Sequence, residues 1–487
     1  MIRILPLTIA ERLDFYHQDH LLQGWDALSP QQQAALALQL ETVDFNQLAD
    51  LLVQLKSHHS TTAETPAQRA GRAQPPRSLI RLPRTAAEHA QWQAAEQRGE
   101  ELLGAGQVGA ILVAGGQGTR LGYDHPKGMY PLGPVSHVPL FQLLCEQLLA
   151  RSRRAGQPIP YYIMTSAATH PETVQFFQQH QFFGLPETDV YFFQQGNMPA
   201  VDAQSGQLLL AAPGQLAMSP DGHGGLLSAL SAAGLLENMR ERGVQYLYYH
   251  QVDNPLAIVC DPAYLGWHQQ SGAEVSTKVI AKRSAAEKMG IAVDVDGVTQ
   301  IIEYSDLPDD VAQRQTATGD LELWAGSTAI HIFSREFLER LIHGQWQLPF
   351  HIAHKPVPHY VPDEGILTPE QPNAYKFEQF IFDILPQASQ TLIVEADRTR
   401  EFNPLKNADG VHSPDDVRQS LVNLHRNWAQ LAGWDIPSAT PVEISSLLAL
   451  DTAEFAARVG RRTPPTKTDR GWLWSHESER ATEAPPG

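Results

Sequence analysis

The sequence predicts an α/β protein built on a mostly parallel sheet with helices on both faces. Three observations carry that expectation. Apolar runs of strand character at 108–114, 160–165, 190–193, 246–252 and 274–280 alternate with helical patterns at 140–154, 171–180, 226–240 and 262–270. Alternation of this kind calls for crossover connections packed on a parallel sheet. The first run also breaks directly into a glycine-rich loop, and ligands of such sheets bind beyond the carboxyl ends of strands. Finally, 487 residues exceed one ordinary domain, so further regions are expected on either side of the sheet.

Taken in order, the chain up to about residue 55 is helical in pattern, with Leu21, Leu22, Trp25 and Leu28 followed by an apolar stretch at 34–40. Residues 57–88 lose that pattern and fill with Ser, Thr, Pro, Gly and Arg, which reads as a linker or a long ordered loop. A polar helix is expected at 86–103, leading into the first strand. After the alternating region, 293–350 carries antiparallel signals around Asp296-Gly297 and at 323–332. Beyond Pro404 a smaller segment holds helical patterns at 417–431 and 445–459. The tail at 461–487 is rich in Pro, Glu and Arg and is expected to be disordered despite Trp472 and Trp474. The expected regions are therefore 1–90 (helices and linker), 91–400 (the main α/β domain) and 401–487, with the disordered tail from about 461. No internal repeat is found.

Composition narrows the class. Hydrophobic residues make up 42% of the chain, and no apolar run approaches the roughly 20 residues that span a bilayer. The opening Met1-Ile2-Arg3-Ile4-Leu5-Pro6 carries no long apolar segment with a cleavage site. Cys145 and Cys260 are the only cysteines; two make no disulfide framework or zinc site, and their scarcity fits a reducing cytoplasm. A formal net charge of −18 argues against nucleic-acid partners. It leaves a polyanionic substrate open, because cations local to a pocket outweigh the global sum.

The glycine loop is Ala114-Gly115-Gly116-Gln117-Gly118-Thr119-Arg120-Leu121-Gly122, with Pro126-Lys127 beyond it. Glycines let a phosphate approach backbone N–H groups closely, and Arg120 and Lys127 add full positive charges. Gly118 is followed by Thr119-Arg120, so the Lys-Ser/Thr ending of a Walker loop is missing. The dinucleotide spacing fails from Gly116, since the sixth position is Leu121. A matching spacing at Gly104-Ala105-Gly106-Gln107-Val108-Gly109 precedes its strand instead of following it, the wrong context for an NAD-type oxidoreductase. Asp253, in Val252-Asp253-Asn254 at the end of an apolar strand, is placed to hold magnesium, a hard cation that takes one or two carboxylates. The bland reading of Asp253 is a helix cap.

The string 114–130 closely resembles the UTP–sugar-1-phosphate uridylyltransferase family, in particular its UDP-N-acetylhexosamine pyrophosphorylase branch. The resemblance runs from about 90 to 425, with its motifs in order. It implies a Rossmann-like, mostly parallel sheet of the nucleotide-sugar transferase (GT-A-like) type, with a helical N-terminal extension and a small C-terminal segment. It makes 91–400 the catalytic nucleotidyltransferase domain. The implied reaction is attack of a sugar 1-phosphate on the α-phosphorus of UTP, assisted by Mg²⁺, with pyrophosphate leaving. The implied catalytic residues are Arg120 on the departing pyrophosphate, Lys127 between the reacting phosphates, and Lys406 from Pro404-Leu405-Lys406-Asn407. Gly115, Gly116, Gly118, Thr119, Gln195, Gly222, His223 and Asp253 would bind the nucleotide, with Asp253 the metal ligand.

The same resemblance places the sugar at His223, Gly290, Glu303, Ser327, Phe380 and Phe382. For the phenylalanines, core packing at alternate strand positions competes with that role. Two departures bear on the sugar. The family's Asn-Ala-Gly-Asn is Trp324-Ala325-Gly326-Ser327 here, and His223 stands where N-acetylglucosamine enzymes carry Asn and UDP-glucose enzymes carry His. N-acetylglucosamine 1-phosphate is the expected substrate, with glucose 1-phosphate the alternative; a sugar-nucleotide-binding protein without catalysis is the reading from another class. His351, His354 and His359 are read as a solvated loop.

Overall fold

The computed structural model describes residues 8–57, 65–459 and 463–475. Two compact units are present. The larger comprises 66–194, 229–346 and 384–487, the smaller 195–228 and 347–383 together with the N-terminal 65 residues. These boundaries differ from the regions expected at 90 and 400: the chain enters the smaller unit three times.

The larger unit is built on a ten-stranded sheet. Its strands are β1 (Leu79–Ile80), β2 (Val108–Val113), β3 (Tyr161–Thr165), β4 (Val190–Gln194), β5 (Tyr246–Gln251), β6 (Val275–Ala281), β7 (Ile291–Val295), β8 (Val298–Ile302), β9 (Ala325–Ser334) and β10 (Thr391–Glu395). The order is β1-β10-β6-β9-β5-β2-β3-β4, and the β7–β8 hairpin joins through β9. Neighbours along this path are parallel except where β9 runs antiparallel to β5 and β6. That is the mostly parallel α/β sheet the alternating pattern predicts, with the antiparallel signals of 293–350 realised as the hairpin and β9. Burial explains the apolar runs. β3 is buried throughout and β2 nearly so, as expected of strands covered on both faces.

Helices cover the sheet close to the expected positions: Ala86–Gly104, Leu140–Ala155, His170–Gln179 and Pro262–Ser271. A capping box between Thr85 and Glu88 starts the first of these. It lies directly on Pro262–Ser271 because two glycines remove side chains at the crossing. A Cβ on Gly99 would stand 1.8 Å from the Pro262 carbonyl oxygen, and one on Gly266 1.8 Å from that of Ala95. The pattern at 226–240 forms two helices, Leu226–Ala232 and Leu235–Glu241, broken where Gly234 adopts a φ of +66°.

The region read as a linker at 57–88 lies partly outside the described residues, at 58–64. Its remainder forms the helix Pro66–Gly71 and strand β1. The tail, expected to be disordered from about 461, is ordered in part. Residues 466–468 and 471–474 are strands, with Val442–Ile444 pairing the second of them in parallel. Trp474 is fully buried against Phe455, Leu448 and Trp428, and its indole N–H donates to the Thr463 carbonyl. Burying that much aromatic surface outweighs a disorder-prone composition. The rest of the tail, 476–487, lies outside the described residues.

In the smaller unit, Ile9–Phe15, Pro30–Thr42 and Phe45–Ser57 bear out the helical N-terminus. Their Leu13, Leu36, Leu40 and Phe45 share one core with Leu208, with Val201 and Phe377 of a three-stranded sheet, and with Leu216 of a four-stranded sheet. The histidines read as a solvated loop are on strands of these sheets: His351 and His354 on Phe350–Lys355, His359 on His359–Val361. His351 pairs with Asp383 at 2.7 Å and packs on Phe380. Periodicity misses these short, half-buried strands because their outward residues are polar.

Candidate functional site

In the larger unit, residues 115–122 leave the carboxyl end of β2 and return as a narrow two-chain loop. The Gly118 N–H donates to His125 O, and the Lys127 N–H donates to Gly116 O at 3.1 Å. That pairing fixes Lys127 beside the glycines although it lies well beyond them in sequence. No hydrogen bond among the described residues takes up the N–H groups of Gly115, Gly116 or Gln117. The buried Ser166 hydroxyl donates to Gly115 O at 2.9 Å, anchoring the loop from the end of β3. A side chain at Gly118 would meet Tyr123 O at 2.7 Å, so the tight turn requires glycine there. Thr119 and Arg120 are exposed, and Arg120 makes no ion pair among the described residues.

Lys127 is mostly enclosed. Its ammonium lies 3.8 Å from the Asp253 carboxylate and donates to Leu405 O at 3.3 Å. Three distant parts of the chain thus converge on one cation. Asp253 arrives by extension of β5, whose next residue, Val252, donates to Val113 O. The segment carrying Lys406 is fastened to this strand end by three hydrogen bonds. Leu405 N–H donates to Asp253 O at 2.7 Å, and the buried Asn254 side chain donates to Glu401 O while accepting from Asn403 N–H. Asn403 in turn donates to Ser420 and Asp416 and bonds the His412 ring. Lys406 itself is exposed, its N–H held by His412 O.

A buried ion triad underpins the same segment. Lys278 of β6, only 2% exposed, donates to Asp261 at 2.6 Å and to Glu401. Burial opposes the charge on Asp261, but the Lys278 ammonium holds its carboxyl below the ordinary value. Burial and the Asp261 charge push the Glu401 carboxyl up. The triad therefore stands as an Asp261–Lys278 ion pair with Glu401 as the weaker acid. The sequence names neither this triad nor Asn254, Asn403 and Ser166 as functional, because each depends on a partner far away in the chain.

The expected sugar residues of this unit also gather. Ser327 N–H donates to Gly290 O at 2.8 Å, and a Cβ on Gly290 would meet Glu303 at 2.8 Å. Next to them, Arg81 lies over the Trp324 ring at 4.0 Å.

In the smaller unit, Gln195, Asp221, Gly222 and His223 form a second group with Phe380 and Phe382. Gln195 donates to Gly222 O at 3.1 Å, and Gln379 N–H donates to Asp221 O. Gly222 has a φ of +85°, and Cβ atoms on Gly222 or Gly224 would strike the Gln379 backbone at 2.5 and 2.6 Å. Internal packing already accounts for those glycines. His223 accepts from Ile381 N–H through Nδ1 at 3.1 Å, stacks on Phe380 and touches Phe382. Burial, aided by His351, pushes its pKa down to about 4. The ring is neutral, with its proton on Nε2. Phe380 and Phe382 follow the strand Ala374–Gln379 and are not on it, so alternate strand packing is not their setting.

Burial pushes the Asp221 carboxyl up to about 6, against a hydrogen bond from Gln195. A raised folded pKa means the group's contribution to stability is complete below its ordinary value of about 3.9 and lost as pH rises through about 6. Asp221→Asn is therefore expected to raise the melting temperature at about pH 8 and to leave it unchanged at about pH 4. Thermal denaturation at the two values checks this, and an equal effect at both would contradict it.

An α/β sheet whose glycine loop, Lys127 and strand-end carboxylate meet around one point defines a nucleotide-phosphate enzyme of the nucleotidyltransferase class. The UTP–glucose-1-phosphate uridylyltransferase family model matches residues 55–430, and the chain belongs to this family. A UDP-N-acetylhexosamine pyrophosphorylase-like protein 1 of Xenopus tropicalis is 37% identical over 85% of this chain and 83% of its own. The UDP-N-acetylglucosamine pyrophosphorylase of Saccharomyces cerevisiae is 34% identical over 92% of this chain and 96% of its own. A Trypanosoma brucei uridine diphosphate N-acetylglucosamine pyrophosphorylase, solved with an inhibitor, superimposes with a TM-score of 0.81 at 25% identity, covering 97% of this chain and 99% of its own.

Proposed function

We propose that the protein transfers the uridylyl group of UTP to N-acetylglucosamine 1-phosphate, releasing pyrophosphate. The observation that carries this reading is the convergence on Lys127 of the glycine loop, Asp253 and Leu405. The acceptor phosphate is already an anion, so the reaction needs neither a general base nor a covalent intermediate. It needs reacting phosphates in line and their charge neutralised. Both cysteines are buried with thiols pushed up, Cys260 to about 12, so neither supplies a thiolate.

Within the larger unit, the N–H groups of Gly115, Gly116 and Gln117 cradle the triphosphate. Gly118 and Thr119 turn the chain to deliver Arg120, whose planar fork suits the departing pyrophosphate. Lys127, held in place on three sides, balances charge between the donor and acceptor phosphates, and Lys406 adds a further cation. Glu303 hydrogen-bonds sugar hydroxyls beside Gly290 and Ser327. Within the smaller unit, Gln195, Gly222 and His223 hold the uracil, His223 also donates from Nε2 towards the sugar, and Phe380 and Phe382 form an apolar wall.

The donor set at Asp253 fits a magnesium ion. Among the described residues no three His, Cys, Asp or Glu side chains gather into a closed metal cage, whereas Mg²⁺ needs few carboxylates beside water and phosphate oxygens. Such an ion would supply neutralising charge to the phosphates. Asp253 would hold it while remaining beside Lys127.

Pyrophosphate release with UTP, assayed against N-acetylglucosamine, N-acetylgalactosamine, glucose and galactose 1-phosphates, tests the reading. The highest kcat/KM is expected with N-acetylglucosamine 1-phosphate, and activity should vanish with a chelator and return with Mg²⁺. No release with any acceptor would overturn it, and a preference for glucose 1-phosphate would give the sugar to the alternative. His223→Asn combined with Ser327→Asn is expected to increase the preference for the N-acetylated sugar; an unchanged ratio places selectivity elsewhere.

Asn254 serves as a positioning residue for the Lys406 segment. Asn254→Ala should lower kcat/KM by about 10- to 100-fold, the scale of lost supporting contacts. In a Lys406→Ala background the same change should cost less than about threefold, because the two act as one unit. Additive effects would show that Asn254 acts independently of Lys406.

A further inference from the structure

One cavity of the larger unit is lined by none of the residues assigned to UTP and sugar, although its Trp324 lies next to the sugar group. It has a volume of about 1000 Å³, and Arg81, Arg84, Lys282, Arg283, Asp320 and Trp324 are among its lining residues. Four cations face one acidic side chain, in a chain whose net charge is −18. Lys282 is the central member because it is only 9% exposed. Its ammonium donates to the Ala285 carbonyl at 3.2 Å and makes no ion pair among the described residues. Burial lowers its pKa and the nearby Glu287 charge offsets this only in part, so an anion arriving from outside would stabilise the buried ammonium.

The nearby carboxylates are otherwise engaged. Glu395 pairs with Arg81 at 2.7 Å. Glu287 pairs with Arg398 at 2.9 Å and accepts from the Arg283 N–H. Asp320 accepts from the Thr318 hydroxyl. Arg84 and Arg283 are exposed and carry guanidinium groups suited to phosphate oxygens. Gln313, Gln315 and Thr316 add neutral donors to the wall. A cavity of this size accommodates a sugar-sized ligand.

We propose that this cavity binds a phosphorylated small molecule, with Lys282, Arg84 and Arg283 holding the phosphate, at a site separate from the substrate residues. The loop from Lys282 to Gly290 links the cavity to the sugar group covalently. Calorimetric titration of the full chain with glucose 6-phosphate, which has no anomeric phosphate to accept a uridylyl group, tests the proposal. Saturable binding is expected, surviving Lys127→Ala and weakened about tenfold or more by Arg84→Glu with Arg283→Glu. That double variant should keep its uridylyl-transfer turnover. Lys282→Gln, checked for an unchanged melting temperature, should weaken binding similarly.

Inorganic phosphate is the second titrant. If it binds as tightly as glucose 6-phosphate, the site reads phosphate alone; if more weakly, the sugar contributes, and either result supports an anion site. Absence of saturable binding by both titrants overturns the proposal. So does binding that is lost in Lys127→Ala and retained in the double arginine variant, which would return the ligand to the substrate residues.

Discussion

Lys127→Ala is expected to lower kcat/KM by about a thousandfold or more, the scale on which a cation placed at a transferring phosphate contributes. The loss should fall mainly on kcat, because charge between the reacting groups builds most in the transition state. Stability should change little. The Lys127 ion pair with Asp253 is long, at 3.8 Å, and its backbone N–H, which ties it to Gly116, survives the substitution. Steady-state kinetics beside a thermal melt measures both quantities. A variant with near-parental turnover would remove Lys127 from the mechanism; one that unfolds would show a structural role in its place.

Lys278→Met should be the most destabilising single change described here. Removing one partner of a buried ion pair costs about 3–5 kcal/mol because the remaining charges stay out of water. Asp261 and Glu401 would be left facing each other in that position. Denaturant titration should show the loss, and Lys278→Met with Asp261→Asn and Glu401→Gln should recover most of it. The sign of the pH dependence follows from Asp261. Its carboxyl is held below the ordinary value in the folded protein, so its contribution is present above that value and lost as pH falls through the folded one. The deficit of Lys278→Met should therefore shrink towards acid pH, where the orphaned carboxylates are neutral. A variant within about 1 kcal/mol of the parent at neutral pH would contradict the account of this triad.

The two predictions differ in how visible their residues are in the sequence. Lys127 stands in a local string of glycines and cations whose spacing carries meaning by itself, and the alternation of strands and helices places that string at the carboxyl end of a strand. The fold class was legible for the same reason: parallel strands covered on both faces leave unbroken apolar runs. Lys278 has no such local signature. Its partners come from a helix cap and from a short helix more than a hundred residues later, and a lysine in an apolar strand gives no hint of them. Asn254 and Asn403 are hidden alike, since their meaning lies in a pairing between chain segments.

Packing decided the remaining differences. Gly99 and Gly266, unread in the sequence, are required where two helices cross. Trp472 and Trp474 sit in a segment whose composition suggests disorder, yet the burial of Trp474 organises it. His351 reads as one of a polar run but holds Phe380 through its contact and Asp383 through a hydrogen bond. In each case the deciding atoms belong to a different stretch of chain.

The uridylyl group is expected to pass in one step from UTP to the sugar phosphate, with positioned charge and no residue of the protein carrying it. UTP labelled at the α-phosphorus, incubated with the protein and Mg²⁺ with and without N-acetylglucosamine 1-phosphate, tests this most directly. Label is expected in UDP-N-acetylglucosamine only when the acceptor is present, with none on acid-precipitated protein and no pyrophosphate released beforehand. Labelled protein or a burst of pyrophosphate without acceptor would contradict it.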